Sequence, residues 1–90
     1  MKAPDFLRKA ADLLEQRGKD YDKKGGERSV PATVTAFNAI TGSKMTNQQG
    51  WLFMHLLKKV RLHTDPTKFH QDSAEDSIAY DALEAEEWSL

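Results

Sequence analysis

Ninety residues, a net charge of −1 and no cysteine bound what this chain can be. One domain over residues 1–90 fits the length, and a chain this short buries only about 60–65% of its unfolded surface, so oligomerisation would add needed stability. Disulfides and cysteine-ligated zinc are excluded, the near-neutral balance disfavours duplex nucleic acid and membrane surfaces, and no apolar run approaches the ~20 residues of a membrane span. The start, Met1-Lys2-Ala3-Pro4-Asp5, lacks the apolar core of a signal peptide, so a cytoplasmic protein is expected. Charge is unevenly placed. All 13 basic residues precede Asp72, and half of the 14 acidic ones follow from it. That split can be complemented within the fold or between subunits.

Four helices are predicted and no segment reads as a strand. In the first, Pro4 is well placed early, and Phe6, Leu7, Ala10, Leu13 and Leu14 recur at helical spacing as an apolar stripe, with Gly18 as the expected stop. The second begins over Ser29–Pro31 and closes at Gly42, with Val34, Phe37 and Ile40 on one face. Its β-branched residues lower helix propensity, so tertiary packing must hold it. The third opens on a capping box of Thr46 and Gln49. Phe53, Leu56, Leu57 and Val60 are its expected core stripe, Trp51, Met54, Lys58 and Arg61 share a second face, and Asp65-Pro66 ends it near His63 or Thr64. The fourth carries a second box, Asp72 as cap and Glu75 three residues on. Ile78, Ala79, Ala82 and Leu83 are its expected buried residues, and Trp88 folds back onto the core or a partner chain. Short amphipathic helices with short connections make a small all-α bundle of four helices, expected to be oligomeric.

The segment from Asp20 to Ser29 carries the clearest chemistry. Gly25 and Gly26 let the backbone turn close to a ligand. Lys23, Lys24 and Arg28 supply positive charge, and the helix that follows points its free N–H groups, with the Ser29 hydroxyl, back at the loop. Tyr21 offers a face on which a base can stack. These are the parts of an anion or phosphate site, although Gly, Lys and Asp also serve in ordinary connectors. Lys58 and Arg61, three residues apart, offer a second cationic wall facing phosphate, or ion pairs to carboxylates on the fourth helix. Asp72, Asp76 and Tyr80 stand four residues apart on one helical face. The two carboxylates could hold Mg²⁺ with waters and phosphates completing the shell, or serve only the helix start and its dipole. His55, His63 and His70 show no metal spacing, and no nucleophile has a visible His-and-carboxylate partner.

Glu27-Arg28-Ser29, Phe37-Asn38-Ala39-Ile40-Thr41-Gly42, Gly50-Trp51, Leu56 to Arg61, Asp72 to Asp76 and Ala79-Tyr80 together resemble a family of small bacteriophage and prophage proteins, over about residues 17–83. More distantly, Lys-x-x-Arg on one helix and Asp-x-x-x-Asp-x-x-x-Tyr on the next look like the second half of MazG-type all-α nucleotide pyrophosphohydrolases. That resemblance implies a Mg²⁺ site at Asp72 and Asp76. Its first half is missing, since Thr33, Thr35 and Asn38 stand where carboxylates are needed and two-metal hydrolysis requires more ligands. The expectation is a phage-encoded protein of the host cytoplasm that binds a nucleotide-like anion without turnover, as a sequestering agent for a host immune signal. Two alternatives stand beside it. One is an inhibitor that binds a host defence or regulatory protein, which implies an exposed apolar patch around Trp51, Met54 and Trp88. The other is a reduced Mg²⁺-dependent pyrophosphohydrolase.

Overall fold

The computed structural model describes residues 1–21 and 29–90, with the side chains of residues 19–21 left aside. It contains four helices, α1 (Ala3–Tyr21), α2 (Ser29–Thr41), α3 (Asn47–His63) and α4 (Gln71–Ser89), and no strand among the described residues. The all-α expectation holds. No described helix is long and apolar enough to cross a membrane.

Helix α1 runs through the expected stop at Gly18 to Tyr21. Among the described glycines only Gly42 takes positive φ, at 71°. Gly18 therefore stays in the right-handed run, a position that costs about 1 kcal/mol relative to Ala but does not forbid helix. Ala10 is buried and Leu14 packs on the core, whereas Leu7 is 61% exposed. Helix α2 starts at Ser29 and closes before Gly42, as its spacing predicts. Only Val30 and Val34 bury; Phe37 and Ile40, expected on the core face, are exposed. Asn38 ties the exit of α2 to the next segment, its amide donating to Met45 O at 2.8 Å and its Oδ1 accepting from Met45 N at 3.0 Å.

Helix α3 has the expected capping box, with Thr46 Oγ1 accepting from Gln49 N and Gln49 Oε1 accepting from Thr46 N. Its facing is the reverse of expectation at three of the four stripe residues, Leu57 alone being half-buried. Trp51 is 3% exposed and Met54 packs on the core, whereas Phe53, Leu56 and Val60 are more than half exposed. Gly50 explains the choice. A Cβ there would stand 2.5 Å from Val34 Cγ2 and 2.9 Å from Val30 Cγ1. The glycine lets α2 lie directly against this side of α3, and Trp51, next in sequence, fills the interior behind it.

Helix α4 begins one residue before the expected cap. His70 is the N-cap, its Nδ1 accepting from Ser73 N at 3.3 Å. Asp72 is then an exposed first-turn residue, and Glu75 is buried and receives Gln71 Nε2 at 2.8 Å. Ala79 and Leu83 bury as expected, Ile78 only partly, and Ala82 is exposed. The buried face is polar in the first half of the helix, with Ser73, Glu75 and Ser77, and apolar in the second, with Ala79, Tyr80 and Leu83. Ser73 and Ser77 are almost fully enclosed, which lets α4 approach closely. Ser77 Oγ donates to Ala74 O at 2.9 Å, and its carbonyl lies 2.8 Å from His55 Nδ1, which must therefore carry the proton. Helix α4 packs chiefly on α3 and α1, and α2 chiefly on α3. Trp88 does not fold back onto the core. It is 68% exposed, its indole N–H reaching Glu84 within its own helix.

Candidate anion site and apolar cavity

Three helices meet at Asp76. One carboxylate oxygen accepts from Arg17 Nη2 of α1 at 2.8 Å, and the other from Lys58 Nζ of α3 at 3.0 Å. All three side chains are 15–20% exposed, so these are shielded contacts rather than surface pairs. Local pattern explains the convergence. Arg17 lies three residues beyond Leu14 and seven beyond Ala10, on the inward stripe of α1. Asp76 lies between Ser73 and Tyr80 on the inward face of α4, and Lys58 shares the Trp51 and Met54 face of α3.

The guanidinium carbon of Arg17 sits 5.4 Å from the centroid of Tyr80, a cation–π distance. Tyr80 in turn packs on Trp51 at 6.1 Å between centroids. Arg17 Nη1 is buried and has no hydrogen-bond partner. Among the described residues, then, two cations share one carboxylate, and one guanidinium nitrogen has no acceptor.

Tyr80 also borders a cavity of about 370 Å³ between α2 and α3. Its walls include Val30, Val34, Phe37, Phe53 and Met54, and Ser29 stands on its border. The lining is overwhelmingly apolar, with few polar groups, which suits a flat or apolar moiety rather than a hydrated ion.

The sequence-predicted residues distribute as follows. Ser29 opens α2 beside the cavity. Lys58 joins the ionic cluster and does not stand as an open cationic wall. Arg61, at the last turn of α3, is exposed. Lys23, Lys24 and Arg28 lie outside the described residues, and so does the Tyr21 side chain. Asp76 gives both oxygens to cations while Asp72 is exposed, so the two do not form a ready carboxylate pair. No group of three or more His, Asp or Glu side chains converges as a metal cage among the described residues. The apolar patch expected around Trp51, Met54 and Trp88 is not formed, because Trp51 is interior.

Sequence reasoning missed Arg17 and the cavity. The signal for Arg17 was its position on an otherwise apolar stripe, where a cation needs a buried carboxylate. Gly50 was the signal for close approach of α2 to α3. Comparison with protein-family models, curated proteins and solved structures found no match.

Proposed function

We propose that this chain binds a nucleotide-like anion without turning it over. Arg17 and the loop residues Lys23, Lys24 and Arg28 take the phosphate, with Ser29 at the start of α2. The base enters the cavity beside Tyr80, Tyr21 adds a stacking face, and Arg61 reinforces the positive field. The observation that carries this reading is Arg17, whose buried Nη1 lacks an acceptor among the described residues while its guanidinium lies against the ring that borders the cavity. Leaving such a donor unsatisfied costs about 1–3 kcal/mol, and because Nη1 is enclosed a phosphate oxygen recovers it only by displacing the side chains that cover it. The cavity volume falls within the range of small-molecule sites. By analogy with phage proteins that capture host signals, sequestration of a host immune signal is the proposed biological setting.

Turnover is not part of the proposal. A Mg²⁺ ion at Asp76 would have to displace Arg17 or Lys58, and no third ligand converges there among the described residues. Calorimetry against a panel of nucleotides and cyclic dinucleotides tests the reading. At least one should bind saturably, with affinity reduced tenfold or more by Arg28→Ala and by Val34→Phe, which fills the cavity. Absence of heat for every member sinks it.

A second reading, inhibition of a host defence or regulatory protein, is favoured by a separate apolar groove of about 420 Å³ among α1, α3 and α4. Leu7 and Phe69 on its border are both more than 60% exposed. It requires a host protein retained by the wild-type chain and released by Leu7→Asp.

A further inference from the structure

The outer face of α3 is apolar along its centre. Leu52, Leu56 and Val60 follow one another at four-residue spacing and are 44%, 51% and 64% exposed, with Phe53 beside them at 64%. Phe37 of α2, 43% exposed, joins Phe53 in the cavity wall. At roughly 150–200 Å² per large apolar side chain, these five residues leave on the order of 500 Å² open. That is at the upper end of patches on ordinary monomers and well on the way to the ~800 Å² per partner of a stable interface.

We infer that this face pairs with a second copy of the same chain, α3 against α3, antiparallel, with the two-fold axis at Leu56. Charge placement selects the partner and its direction. On this face the C-terminal half of α3 carries Lys59 and His63, while the N-terminal half carries Gln49 and the aromatic Phe53 and has no charge. With the axis at Leu56, Leu52 meets Val60 of the other copy, Phe53 meets Lys59, and Gln49 meets His63. Lys59 then faces an aromatic ring, and the helix dipoles oppose. A parallel pairing would instead set Lys59 on Lys59, which is repulsive. Helices meeting on such stripes approach to about 8–10 Å between axes.

The pairing has a consequence at the cavity. Phe37 and Phe53 form its exposed border, so the second copy would cover the open side. That closure rests on the ligand reading; the dimer does not.

The test needs no ligand. Light scattering at tens of micromolar should give twice the 10.2 kDa chain mass, and Leu56→Glu, at an exposed position, should give the monomer mass with unchanged helical circular dichroism. Direction is read by cross-linking, since the chain has no native cysteine. Leu56→Cys should oxidise to a covalent dimer. Val60→Cys should not, because two copies of that position lie about 12 Å apart along the axis, beyond disulfide reach. A mixture of Leu52→Cys and Val60→Cys should cross-link. A monomeric wild type, a dimer insensitive to Leu56→Glu, or self-cross-linking of Val60→Cys would each overturn the proposal.

Discussion

Asp76 is the residue on which the shielded ion pairs among the described residues depend. It pairs with Arg17 and Lys58 at once, one oxygen to each, and each of those side chains is at most one-fifth exposed. Asp76→Asn leaves two shielded cations without a carboxylate, and removal of one partner from a buried pair costs about 3–5 kcal/mol. Urea unfolding is expected to show a loss near the lower end of that range. Replacing all three together by Leu and Met should cost less than the single change, because no stranded charge remains. A smaller feature sits in the turn after α3. The Thr67 hydroxyl and then its backbone N–H, at 2.6 and 3.0 Å, hold the Asp65 carboxyl below its usual range. The sign follows. The folded-state pKa is depressed, so the turn is favoured above the ordinary carboxylate range and that preference fades as pH falls through the lowered value. A carboxyl NMR titration should place Asp65 below the ordinary aspartate value, and Thr67→Ala should return it towards that value.

At the scale of elements, α3 shows what a sequence can and cannot reveal. Its start was legible, because Thr46 and Gln49 satisfy two backbone donors through chemistry local to one turn. Its facing was not, because both faces are apolar and period alone does not rank them. The deciding residue was Gly50, which leaves room for Val30 and Val34. Gly50→Ala should therefore destabilise by about 1–3 kcal/mol despite its better helix propensity, since two stiff β-branched side chains must move. An unchanged midpoint on thermal unfolding would refute that account of α3. The start of α4 shifted for a comparable reason. Asp72 fits the cap pattern, but His70 stands nearer the turn and receives Ser73 N itself. The charged segment before α2 was conspicuous in composition, while Arg17 was hidden among ordinary helix residues although it occupies the inward stripe.

At the scale of the molecule, four helices give an open arrangement. Its extents are 41 × 30 × 23 Å, and its radius of gyration is 14.0 Å, against about 12 Å for a compact domain of this length. The buried apolar core is correspondingly modest, centred on Val30, Val34, Trp51, Tyr80 and Leu83. Such a chain leaves apolar surface for something else, and the outer face of α3 and the α2–α3 cavity are where it does so. In the proposed binding mode a nucleotide-like anion joins this cavity to the Arg17 cluster through Tyr80. A ¹H–¹⁵N titration with the tightest-binding nucleotide tests it most directly. The account predicts saturable shifts at the amides of Ser29, Val34 and Tyr80 and at the Arg17 side chain; shifts confined to residues remote from Tyr80, or none at saturating nucleotide, would contradict it.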